Sequence, residues 1–202
     1  NQGIVGKKTD SNNRWYLRLG TSSLITFYGR GADFESSGTT FSGITGTTAL
    51  VANTWNHIVF SCDRDVKCTV YLNGVDDTYG NGIGSDSIAV NLDNTGDLLL
   101  GSTYLDSGVP QEPLEGKLSN VQLWDAAWSS SEVQYAYTHP EKFAYNTSGS
   151  SLTASNLVAW YPMTEGEGGS GVGVPLRSPQ MYIHDGSAKE LGSNLLTDDG
   201  WT

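Results

Sequence analysis

The chain has 202 residues, 37% of them hydrophobic and only 16% charged, with 25 glycines, a mixture that favours many short strands and Gly-rich turns over long helices. Eleven basic residues stand against 22 acidic ones, a formal charge of -11 without a basic stripe, which argues against nucleic acid as a partner. No run of about eighteen or more apolar residues occurs, so membrane insertion is not expected. The chain opens on Asn1, without a methionine and already inside a strand-like run, and reads as an excerpt from a longer polypeptide.

Residues 3–8 (GIVGKK) read as a short strand. Residues 15–19 alternate Trp15, Leu17 and Leu19 against Tyr16 and Arg18, and a turn at 20–23 leads into residues 24–28 (LITFY), which completes a hairpin. From 29 to 46 the composition is Gly, Ser and Thr with isolated Phe34, Phe41 and Ile44; a long loop and an irregular rim strand both fit. A strand at 47–51 precedes the most regular stretch of the chain, residues 55–74 (WNHIVFSCDRDVKCTVYLNG). Two apolar-alternating runs there flank a charged five-residue turn at 63–67, the pattern of a β-hairpin. If Cys62 faces Cys68, then Phe60 faces Val70 and Ile58 faces Leu72, so one face is wholly apolar. His57, Val59 and Ser61 share the other face with Thr69, Tyr71 and Asn73. A one-residue slip would scatter both sets, so pattern and turn length select this pairing. It leaves two readings for the cysteines: a disulfide, pointing to an oxidising extracellular setting, or two small thiols packed side by side.

Weaker strands are expected at 87–90 and 97–101, separated by the turn formers Asn91, Asp93, Asn94 and Gly96. Residues 104–113 hold two prolines and a glycine and read as loop. Residues 114–124 (LEGKLSNVQLW) alternate as a strand. Ser129 and Glu132 have the Ser-x-x-Glu spacing of a capping box, starting a helix of about two turns that His139-Pro140 ends. Trp55, Trp124 and Trp160 lie in or beside strands and are expected in the core. Trp128, in a polar segment before the helix, is the candidate for an exposed platform. Tyr104, Asp106 and Gln111 combine an aromatic ring with polar partners in a loop and join Trp128 as candidate ligand-binding residues.

Five of these segments, in this order, resemble laminin-G-like domains of the concanavalin A-like superfamily: 55–59 (WNHIV), 70–74 (VYLNG), 99–101 (LLG), 114–124, and Ser131-Glu132-Val133 with Tyr137. The resemblance implies an all-β fold over residues 1–145, a two-layer antiparallel β-sandwich of jelly-roll type with one short helix. Residues 156–163 (NLVAWYPM), 164–169 (TEGEGG) and 183–187 (IHDGS) are similar to the opening strands of the same family. Residues 146–202 therefore either complete this sandwich or open a second laminin-G-like module. Chains of such units are similar to what large virion proteins of tailed phages carry in fibres and capsid decorations.

Some members of the superfamily are glycoside hydrolases, whose retaining mechanism needs two carboxylates about 5–5.5 Å apart, two or four residues apart on one strand. No strand here has them. Glu112 and Glu115 bracket Pro113, Glu165 and Glu167 sit among glycines, and both pairs read as solvated turn acids. His57, His139 and His184 are far apart in sequence, with His57 reading as a packed or half-exposed structural residue, and no nucleophile or cofactor motif accompanies them. No catalytic residue is expected. The resemblance also implies a Ca²⁺ site using an acid from the strand at 118–124, but Ser119-Asn120 stands where the family has Asp-Glu. That leaves Asn120 and Asp185 as candidate metal ligands. The expected function is non-enzymatic adhesion in an extracellular or virion-surface assembly, to cell-surface glycan or a neighbouring virion or structural protein. A purely structural spacer and a carbohydrate-binding module attached to a hydrolase are the competing readings.

Overall fold

A computed structural model describes residues 1–31, 41–63, 66–80, 91–140 and 151–163, together with a two-residue strand at 182–183. It is antiparallel all-β with one α-helix among the described residues. Two compact units emerge, residues 1–117 with 128–138, and residues 118–127 with 139–202.

In the first unit, β1 (Gln2–Lys8), β2 (Arg14–Leu19), β3 (Ile25–Arg30), β4 (Phe41–Thr45) and β8 (Leu98–Leu100) form a five-stranded sheet in the order β4-β3-β2-β1-β8. A second sheet holds β5 (Ile58–Asp63), β6 (Lys67–Leu72) and β7 (Val75–Asp76). Val5, Leu17, Ile25, Phe27 and Ile44 of the first sheet pack on Cys68, Val70 and Leu72 of the second. The rings of Phe27 and Phe60 stack across the interface with centroids 3.9 Å apart. Alternation on both hairpins supplies one apolar face to each sheet, and burying those two faces against each other makes the sandwich.

The β5–β6 register is the one the pattern selects, Ile58 with Leu72, Phe60 with Val70 and Cys62 with Cys68. Asp63 also pairs with Lys67, so the turn is tighter than five residues. Cys62 and Cys68 form a disulfide. Residues 47–51 are not a strand. Thr47 and Thr48 instead turn their backbone N–H groups and hydroxyls to the Asp77 carboxylate, at 2.6–3.2 Å. The Thr47 N–H also reaches the Asp77 carbonyl, Tyr79 N–H reaches the Thr45 carbonyl, and Gly46 bridges Thr78. These bonds sew the β4 edge of one sheet to the β7 end of the other.

Three further expectations change. Residues 104–113 are not an irregular loop but a hairpin, β9 (Tyr104–Asp106) against β10 (Val109–Gln111). Ser107 and Gly108 turn it at φ 51° and 81°, the left-handed pair that a two-residue hairpin needs. Pro110 faces Leu105, one step from the closing Asp106–Val109 pair, where antiparallel alternation asks no N–H of it. Residues 114–124 are a strand only as β11 (Val121–Trp124), because Asn120 adopts φ 54° and breaks the extended run. Trp55 is 70% exposed rather than in the core, since β5 begins three residues later, after a turn with Asn53 at φ 61°. In the 29–46 segment, Gly29 and Arg30 finish β3 and residues 41–45 form β4, while the strand expected at 87–90 lies outside the described residues.

The helix α1 (Ser130–Thr138) has the expected capping box: Ser129 Oγ accepts the Glu132 N–H and a Glu132 carboxylate oxygen accepts the Ser129 N–H. In the second unit β12 (Leu157–Tyr161) pairs with β11 and with β13 (Tyr182–Ile183). Leu157, Trp160 and Trp124 make its small core.

Candidate functional site

Strand alternation sorts the side chains of the five-stranded sheet into an inner face, with Val5, Leu17, Phe27 and Leu100, and an outer face. The outer face carries three cross-strand rows. Lys8, Arg14 and Arg30 stand abreast in one; Gly6, Tyr16 and Tyr28 form the next; Gly3, Arg18, Thr26 and Thr45 form the third. Three of the five arginines in the chain are here. The Tyr16 and Tyr28 rings lie 5.1 Å apart and 13° from parallel. Arg18 is 5.1 Å from the Tyr16 ring centre and Arg14 is 5.3 Å from that of Tyr28. Each guanidinium is therefore held at a ring by cation–π attraction, with its charge still partly open to solvent. Burial pushes the Tyr16 phenol up, against the opposing pull of Arg18 and Arg14.

The β9–β10 hairpin adjoins this face at β1. A side chain at Gly3 would collide with the Ser102–Thr103 backbone and one at Gly6 with the Thr103 carbonyl, so the two glycines let that segment cross close to the strand. Lys8 Nζ then lies 3.9 Å from the centre of the Tyr104 ring. Gln111, facing Tyr104 across the hairpin, accepts at its carbonyl the Thr103 N–H and the Ser102 and Thr103 hydroxyls. Asp106 is exposed at the hairpin end.

Glu112 is not a solvated turn acid. Its carboxylate accepts Arg18 Nη1 at 3.0 Å on both oxygens and Asn1 Nδ2 at 2.7 Å. Burial raises the Glu112 pKa, but the bonds from Asn1 and Arg18 outweigh it and hold the carboxyl below its ordinary range. Glu115 is exposed.

Of the candidate ligand-binding residues, Tyr104 and Gln111 share the hairpin with Asp106, but Trp128 is anchored at the other sheet. Its N–H donates to Ser61 Oγ at 2.8 Å and its carbonyl accepts the Ser61 hydroxyl at 2.9 Å. The Trp128 residue is half-buried rather than a fully exposed platform. Asn120 serves as a hydrogen-bond hub in the second unit: its Oδ1 accepts Trp160 Nε1 at 2.7 Å and Gln122 Nε2 at 2.9 Å, and its Nδ2 donates to the Pro140 carbonyl. Two donors thus occupy the oxygen that a metal would use. Asp185 lies outside the described residues, and among those described no group of three His, Cys, Asp or Glu converges on a metal position.

The outer-face cations escape a reading that weights the apolar phase of each strand. Their signal is nevertheless in the sequence, as Arg14-x-Tyr16-x-Arg18 and Thr26-x-Tyr28-x-Arg30 on the polar phase of one hairpin.

Among solved structures, the Ruminococcus gnavus IT-sialidase CBM40 bound to alpha2,3 sialyllactose is similar to this chain, with a TM-score of 0.48 and 17% identity over 67% of this chain and 73% of that one. A second structure of the same CBM40 gives the same values. An S-layer domain-containing protein (residues 221–444) from Clostridium thermocellum is similar with a TM-score of 0.34 and 18% identity, over 65% of this chain and 60% of that one. No curated protein matches the chain. A laminin G family model, described as the concanavalin A-like lectin/glucanases superfamily, matches residues 1–134. That span contains both sheets of the sandwich, and the chain belongs to the concanavalin A-like lectin/glucanases superfamily.

Proposed function

We propose that this chain is a non-catalytic carbohydrate-recognition module of a larger extracellular or virion-surface protein. In this reading the glycan lies on the outer face of the five-stranded sheet, beside the β9–β10 hairpin. The observation that carries the reading is the Tyr16–Tyr28 pair with Arg14 and Arg18 held at its rings. Guanidinium groups restrained in this way offer several N–H donors in a fixed plane and lose little side-chain freedom on binding, which suits a hydroxyl-rich ligand. Tyr104, Asp106 and Gln111 on the neighbouring hairpin add a ring and polar groups at the margin. The Glu112 carboxylate is committed to Arg18 and Asn1, so it is a strut of the site rather than an acid or base.

The test is retention of the full chain on a glycan array. We expect binding to at least one glycan class and at least a tenfold loss in Tyr28→Ala, with Val75→Ser, an exposed change on the other sheet, unaffected. An array blank for the folded wild-type chain overturns the proposal and favours a structural spacer.

A further inference from the structure

Lys8 pairs directly with Arg14, and Arg14 directly with Arg30, across three adjacent strands. Like charges set opposite each other in a sheet destabilise it, and nothing in the sandwich core requires them on the solvent side. The row is more unusual because the chain is acidic overall, with 11 basic residues against 22 acidic ones. The adjacent cation, Arg18, already has a carboxylate seated on it, that of Glu112. Arg14 differs in having no carboxylate on it among the described residues: its guanidinium is held at the Tyr28 ring, with its Nε buried as that of Arg18 is. A guanidinium partly open to solvent with no anion on it leaves N–H donors for an incoming acceptor, and a charge-assisted bond there is stronger than a neutral one.

From this row, and resting on the carbohydrate reading above, we propose that the ligand is an acidic saccharide whose carboxylate or sulfate group is received between Lys8 and Arg14. Arg18 with Glu112 shows within the same face the contact that the ligand anion reproduces at Arg14. Exposed Asp106 at the hairpin end repels that group, so the anion sits toward the sheet and the neutral part of the saccharide toward Tyr104 and Gln111. At physiological salt the Debye length of ~8 Å screens most of the distant negative charge, so the ligand responds mainly to these local cations.

The experiment measures binding of the full chain to three probes of similar length at 0.15 M salt: oligogalacturonate, a heparin oligosaccharide and a neutral cello-oligosaccharide. We expect an acidic probe to bind at least about tenfold tighter than the neutral one, and Arg14→Gln to remove that preference. Oligogalacturonate against heparin distinguishes carboxylate from sulfate. Arg14→Lys, which keeps the charge without the planar fork, should recover part of the preference, and Lys67→Gln, on the other sheet, should leave it intact. Thermal melts of each variant separate lost recognition from lost folding. If the neutral probe binds as well as both acidic ones, or if folded Arg14→Gln keeps the preference, the acidic-ligand proposal fails while carbohydrate recognition stands. If the glycan array above is also blank, both fail.

Discussion

At the scale of single residues, His57 shows how burial alone sets a titration. Its ring lies 5.8 Å from that of Tyr137, its Nδ1 is buried without a hydrogen-bond partner among the described residues, and desolvation pushes its pKa below the ordinary 6.5. The unfolded chain takes up a proton at this position near pH 6.5, whereas the folded chain resists it until lower pH. Between those two values the unfolded state binds more protons, so stability falls as pH drops. Urea midpoints measured from pH 7.5 to 5 should decrease, and His57→Phe, of similar volume and without the titration, should flatten the decrease. An unchanged slope in the variant would refute the assignment. The identity of His57 as a packed residue was legible from its place beside an alternating strand. The exposure of neighbouring Trp55 was not, because tryptophan reads as core in any strand-like stretch and only the turn at Asn53 sends it outward.

At the scale of elements, the β5–β6 hairpin was legible down to its pairing, because a period of two leaves one register that buries every apolar side chain. Its disulfide closes a short loop and should contribute about 2 kcal/mol by chain entropy. Cys62 and Cys68 should therefore resist alkylation in the native oxidised chain, and reduction should lower the free energy of unfolding by about that amount. Two thiols modified without reductant would disprove the pairing. The β9–β10 hairpin was illegible for the opposite reason. Prolines and glycine read as loop, yet Gly108 supplies the left-handed turn and Pro110 occupies a position that needs no donor. The break at Asn120 was hidden as well, since the alternation through 114–124 continues on paper past a residue whose side chain is engaged by Trp160, Gln122 and Pro140.

At the scale of the first unit, the two sheets are joined by their core and by the Asp77 clamp. Burial raises the Asp77 pKa, but the bonds from Thr48 and Thr47 outweigh it and hold the carboxyl below its ordinary 3.8. The resulting stability is fully present above pH 3.8, where the unfolded carboxyl is ionised, and is lost as pH falls through the lower folded value. Asp77→Asn retains one acceptor oxygen but loses the charge. It should destabilise the fold by about 1–3 kcal/mol at pH 7 and by less at pH 2, as read by chemical denaturation at both values. Equal stability of variant and wild type at pH 7 would show that the clamp contributes nothing.

By itself the sequence determined the all-β class, the apolar face of each hairpin and the capped helix, because alternation and capping are local and repeat along the chain. It also contained Arg14, Tyr16, Arg18 and Tyr28, but as scattered polar positions. Only the tertiary structure decided that these residues gather on one face of a sheet. Sheet order sets Lys8, Arg14 and Arg30 in one row, and the glycines of β1 let a distant hairpin bring Tyr104 and Glu112 to them. Contacts between residues about ninety positions apart depend on which strands become neighbours, and no local period encodes that choice.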